Sequence, residues 1–350
     1  MLKKITILFS LSLVFLLASG CIRVENVSTG GGIYKSVDGG NNWQQKISLL
    51  SLPQEQKYLD NIETNVFVFD PQDFQTIYLG TKKNGLFVSF DGAESWQEVK
   101  RLPKGKISSL AVDPKAKHIV YAGIENRIFK TKDANRTWES VYLDTFSDVE
   151  ISALAINHLF PNIVTAGFSD GRLIRSEDGG LSWTPLNNFK KRIGQVLINP
   201  YNPQIIYVTL LNQEIFRSEN HGIDWKSLKE RYHSFSGAEK IHQLVFNPNF
   251  PDALISISEA GLLHTEDGGQ NWTEYKLITS GDKVEIYSFA VHPQNTDIIY
   301  YATNKTLYKS IDNGENWITK PIPSKNFPNK ILIDPVNPDT LYLGMINLIK

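Results

Sequence analysis

Residues 36–43 read Ser36-Val37-Asp38-Gly39-Gly40-Asn41-Asn42-Trp43, and the frame [Ser/Thr]-x-Asp-x-Gly-x-x-Trp recurs at 89–96, 131–138, 176–183, 218–225, 265–272 and 310–317. All seven tryptophans of the chain, Trp43, Trp96, Trp138, Trp183, Trp225, Trp272 and Trp317, fall on its last position. They are 53, 42, 45, 42, 47 and 45 residues apart, a period suited to one four-stranded sheet per copy. The third position is Asp38, Asp91, Asp133, Asp178, Asp267 and Asp312, with Asn220 in the fifth copy. A carboxylate there can accept hydrogen bonds from the amides of the turn that follows. Glycine at the fifth position permits positive φ; Ala93 and Asn135 replace it in two copies. Each indole then has ~150–250 Å² to bury against neighbouring strands.

A second pattern interleaves with the first. Val66-Phe-Val-Phe-Asp70-Pro71 precedes Thr76-Ile-Tyr-Leu-Gly80, and equivalent pairs run over 109–123, 153–167, 195–209, 243–258, 288–303 and 330–344. Each reads as a buried strand, a turn and a second strand rich in Ile and Tyr. A short third strand leads into each frame, and the residues after each Trp supply a fourth. The expected fold is all-β: a seven-bladed β-propeller of four-stranded antiparallel blades. The first frame has no strand pair before it and the last pair has no frame after it. The two chain ends should therefore share one blade, the N-terminus giving its outer strands and the C-terminus its inner ones, which removes exposed edges.

The frame resembles the Asp-box, or bacterial neuraminidase (BNR), repeat. The whole pattern resembles the photosystem II assembly-factor family of seven-bladed propellers, and more distantly the sortilin and sialidase repeats. Sortilin-type receptors have ten blades, against seven copies here. Resemblance to the assembly factors implies a non-catalytic module for protein partners, among them subunits of membrane complexes. Resemblance to sialidases and xyloglucan-cleaving enzymes implies glycan binding or hydrolysis as the alternative. The chain lacks the Arg-Ile-Pro that precedes a sialidase's first Asp-box, carrying Gly30-Gly-Gly-Ile-Tyr34 near that place. The xyloglucan enzymes use two facing propellers, and 350 residues hold one.

The first residues read as an address. Lys3 and Lys4 precede an apolar run from Ile5 to Leu17, too short for a permanent span. Leu17-Ala18-Ser19-Gly20-Cys21 resembles the lipobox of bacterial lipoproteins, so 1–20 is read as a signal peptide, 21–31 as a lipidated tether and 32–350 as the propeller. Cys21 is the only cysteine, which excludes an internal disulfide, and its thiol is the expected lipidation site. The lipid chains would anchor the protein stably on the extracytoplasmic side of the cell envelope. Ile22 in place of an aspartate favours the outer membrane or cell surface over the inner membrane.

Composition limits the partners. A formal charge of −1, or −3 with 34 basic against 37 acidic groups once 1–20 is removed, offers no excess to neutralise phosphates, so no nucleic acid is expected. Seven scattered histidines and no catalytic signature give no case for a metal, a cofactor or a catalytic residue. If a ligand binds, it should meet the mouth of the axial channel, where the first strands enter. Seven residues before each turn stand Glu63, Lys106, Glu150, Arg192, Lys240, Glu285 and Phe327; five before stand Asn65, Ser108, Ser152, Gly194, His242, Tyr287 and Asn329. Of this rim, Glu63, Glu150, Arg192, His242, Glu285 and Tyr287, with Lys330 beside it, are the candidate binding residues. The ring serves either as a binding mouth or as a solvated funnel that keeps this face soluble. The connection from Leu49 to Ile62 is the longest and is a candidate contact loop.

Overall fold

A computed structural model describes residues 30–50, 58–59, 61–279 and 284–347. The signal segment, Cys21 and most of the tether lie outside the described residues, as do 348–350. Seven four-stranded antiparallel sheets form the body. Their innermost strands, blades one to seven, are Thr64–Asp70, Ile107–Val112, Ile151–Ile156, Ile193–Ile198, Ile241–Phe246, Ser288–Val291 and Phe327–Ile333. Helix among the described residues is limited to one turn, Lys229–Tyr232.

Blade seven closes the ring as the offset of the two patterns predicts. Its order is Gln44–Gln45, Ile33–Ser36, Leu341–Ile346 and Phe327–Ile333, with Ile33 opposite Gly344 and Ser36 opposite Leu341. The third-strand position is thus filled by the N-terminal segment. In each blade the second strand lies between two neighbouring sheets. Val120–Ile124, Val164–Phe168 and Ile206–Leu210 are accordingly buried at every residue, which explains why they read as continuous apolar runs rather than alternating ones.

Close approach between blades is achieved by leaving side chains out. A Cβ on Gly123 would stand 2.4 Å from Ser109 Oγ and 3.0 Å from Ile151 Cγ2 of the next blade. At the same register blades four and five carry Thr209 and Ile257 instead. The described ends of the 49–62 connection fold back over blade one instead of projecting. Ser48 bridges Tyr58, Leu49 bridges Trp96, and Leu59 is buried.

Candidate functional site

Antiparallel strand order puts the strand-one-to-two turns and the Asp-boxes on one face and the channel mouth on the other. At the Asp-boxes the fourth and fifth positions both have positive φ, 66° and 86° at Gly39 and Gly40. Ala93 and Asn135 adopt the same conformation, at 69° and 70°. Ser36 Oγ accepts the Gly40 amide at 2.9 Å and donates to Asp38 Oδ1 at 2.7 Å; that carboxylate in turn accepts the amides of Asn41 and Asn42. The arrangement repeats at Asp91, Asp133, Asp178, Asp267 and Asp312, and Asn220 reproduces it through the Asp224 amide. The Thr137 hydroxyl and amide hold the Asp133 carboxyl down at about 2. These carboxylates are consumed by their own turns.

The indoles are unequal. Trp96 and Trp272 are buried, while Trp43, Trp138, Trp183, Trp225 and Trp317 are half-buried and packed on the core. The N–H groups of Trp96, Trp183 and Trp317 donate to Lys46, Val141 and Lys276 of the preceding blade. Those of Trp225 and Trp272 stay within their own corner, on Gly222 and Gly269.

At the mouth, the position five before the turn is corrected by a β-bulge. The first strand of every blade except blade six shifts register there, and a bulge re-aims the extra residue. Asn65, Ser108 and Asn329 are taken up between blades: they donate to the carbonyls of Ile107, Ile151 and Thr64 in the next blade. Ser152 is buried and bonds Gly167 of its own blade. Counting back from the turn in steps of two assumes an unbroken alternation, which the extra residue breaks.

The outer ring is knitted into pairs. Glu150 accepts Lys106 at 2.6 Å and Arg192 at 2.7 Å, linking blades two, three and four. Burial opposes its ionisation, yet the two cations hold the Glu150 carboxyl below its ordinary value. Glu63 pairs with Lys82 at 3.3 Å and accepts the Asn347 amide, and Lys240 pairs with Glu259 at 2.7 Å. Tyr287 donates to Glu285 at 2.9 Å and packs on Phe327 at 5.1 Å. Burial, then the Glu285 carboxylate, push its phenol up to about 12. His242 is exposed and makes no hydrogen bond or ion pair among the described residues.

Lys330 lies one residue further in. The same tier holds Val66, Ser109, Ala153, Gln195, Gln243 and Ser288, so Lys330 is its one charge. It is half-buried, and burial lowers its ammonium pKa with no carboxylate compensating. Thus the structure brings Glu150 to Arg192 and Glu285 to Tyr287, and leaves Glu63, His242 and Lys330 in separate settings. Among the described residues no three His, Cys, Asp or Glu side chains group as metal ligands.

Fold and corners together define an Asp-box seven-bladed β-propeller with BNR- and sortilin-like repeats. The family model for Sortilin, neurotensin receptor 3 (Sortilin-Vps10) matches residues 171–265. Vacuolar protein sorting/targeting protein 10 of Neosartorya fischeri is 37% identical over 93 residues, 25% of this chain and 6% of the relative. The match therefore spans a small part of that protein's length. Among solved structures, the GH74 xyloglucanase of Xanthomonas campestris superposes with a TM-score of 0.65 at 16% identity, over 89% of this chain and 52% of that one. YCF48 bound to a D1 peptide superposes at 0.63 and 17% identity, over 83% of this chain and 94% of that one. At these identities the likeness is one of fold.

Proposed function

We propose that this chain is a lipid-anchored extracytoplasmic propeller that holds a protein partner at the mouth of its channel and performs no chemistry there. The observation that carries the reading is the chain Lys106–Glu150–Arg192, paired charges that link three blades, together with exposed His242 and the Tyr287–Phe327 ring pair. Preorganised charge pairs favour selection of a complementary protein surface. A glycosidase acid needs a raised carboxyl pKa, and Glu150 is shifted the other way. Asp70 is raised, through burial, but it is closed inside its turn. The likeness in fold to a protein solved with a bound peptide supports the same reading; the alternative of a glycan ligand is supported by the likeness to xyloglucanases in fold and over a short stretch of sequence.

The test is a triple variant, Arg192→Ala, His242→Ala and Tyr287→Ala, assayed by in-cell crosslinking to envelope proteins and by glycan array. Loss of specific crosslinks with no glycan binding supports the proposal. Undiminished crosslinking, or turnover of xyloglucan oligosaccharides by the unaltered protein, refutes it. Cys21→Ala should release the protein from the membrane fraction and abolish palmitate labelling; persistence of both rejects the anchor.

A further inference from the structure

Four of the Asp-boxes are gripped through hydrogen bonds from the blade before them. The residue preceding the Ser or Thr of the frame stands directly across from a second-strand residue. In blade seven this pair is Lys35 and Tyr342, and both donate to the carbonyl of Gly92 in blade one. In blade two it is Lys130 and Tyr121, both on Gly179 of blade three. Arg175 of blade three reaches the carbonyl of His221, and Tyr207 of blade four, itself bonded by Arg217, reaches Gly268. Blade six repeats the device with Lys309 and Tyr300 beside Gly39, and blade one keeps the tyrosine as Tyr78.

Blade five alone has neither a cation nor a tyrosine. Its pair is His264 and Ile255. A cavity of about 310 Å³ opens there between blades five and six, on the Asp-box face. The carbonyl of Asn313, counterpart of Gly92 and Gly179, accepts no hydrogen bond among the described residues. Asp297 and Glu266 line the cavity without an ion pair among those residues. Burial holds the His264 imidazole below its ordinary pKa and so disfavours its charged form. Tyr275, 4.5 Å from the His264 ring, and exposed Phe250 give the cavity an aromatic wall.

We propose that this cavity receives a lysine or arginine side chain of a protein partner, which takes the place of the cation that blade five lacks. The methylenes lie on the aromatic wall and the charged head meets the Asn313 carbonyl and the two carboxylates. Five of the other six interfaces supply the precedent, since Lys35, Lys130, Arg175, Arg217 and Lys309 fill the corresponding place from within. The cavity opens on the face opposite the mouth, so its occupancy is separable from the function proposed above.

The full chain is titrated with Nα-acetyl-lysine amide and Nα-acetyl-arginine amide, with Nα-acetyl-norleucine amide as neutral control, while backbone amides are followed by NMR. The two cations should shift resonances of blades five and six saturably, and norleucine should bind at least about tenfold more weakly, a difference of ~1.4 kcal/mol. The double variant Ile255→Tyr/His264→Lys rebuilds the usual pair; it should melt no lower and lose the cation by at least about tenfold. Glu266→Gln/Asp297→Asn, at exposed positions, should weaken it too, whereas the mouth triple variant should leave it unchanged. Equal binding of norleucine, undiminished binding by both double variants, or shifts of the same amides by methyl glucoside but not by the cations overturns the proposal.

Discussion

The interface between blades two and three and that between blades five and six arise from one repeat, yet only the first uses all its devices. Between two and three, Gly123 lets the sheets close, Ser108 staples the inner strands, and Tyr121 and Lys130 hold the next corner. The Trp183 N–H reaches back to Val141. Between five and six, Ile257 stands where the glycine would be, blade six has no bulge, and Ile255 and His264 replace the gripping pair. Besides apolar packing, what remains is Trp317 on Lys276 and a 3.3 Å bond from Tyr275 to Asn313. A propeller thus tolerates a seam that lacks glycine, bulge and gripping pair together, and at this seam space for a ligand appears.

Acid should expose this difference most strongly. The six box aspartates have folded pKa values below their ordinary ones, Asp133 at about 2. As pH falls, the unfolded chain therefore takes up protons first. Their contribution is complete above the unfolded value of about 4 and is lost as pH falls towards about 2. Thermal melts should be flat down to about pH 4 and fall steeply below it, and amide exchange should accelerate first in blades five and six. A melting temperature unchanged to pH 2 would contradict the corner geometry.

Next in size is Trp96→Ala, which empties a fully buried site and removes the bond to Lys46; it should cost about 3–5 kcal/mol in chemical denaturation. Trp138→Ala should cost clearly less, since that indole is half-buried and its N–H has no acceptor. Gly123→Val should lose about 1–3 kcal/mol by wedging blades two and three apart. Equal tolerance of Gly123→Val and of Ile257→Leu would dissolve the contrast between the seams. The smallest effects are hydroxyl deletions: Tyr121→Phe should cost about 1 kcal/mol, and Tyr275→Phe, at the long bond of the open seam, less than about 0.5.

Much of this was legible in the chain itself. Seven tryptophans in one frame gave the blade count, and the offset between frame and strand pairs gave the shared seventh blade. The cations at Lys35, Lys130, Arg175, Arg217 and Lys309 were equally visible, each one residue before a box, as were the exceptions Val88 and His264. Their role was not, because it depends on a carbonyl some 50 residues away. The mouth was only half readable. The spacing that set Glu63, Glu150 and Arg192 in one row says nothing of their pairing with Lys82 and Lys106, and Asn65, Ser108 and Asn329 turn into neighbouring blades at bulges.

Local chemistry settled the repeat, the turns and the closure. Glycine, Ser/Thr, Asp and Trp act within eight residues, and a two-residue strand period is a property of the backbone alone. Which seams are sealed, which carboxylates are paired and where a cavity remains were decided only when the ring closed. Those outcomes hang on contacts between residues in successive blades, whose distances to one another no single repeat contains.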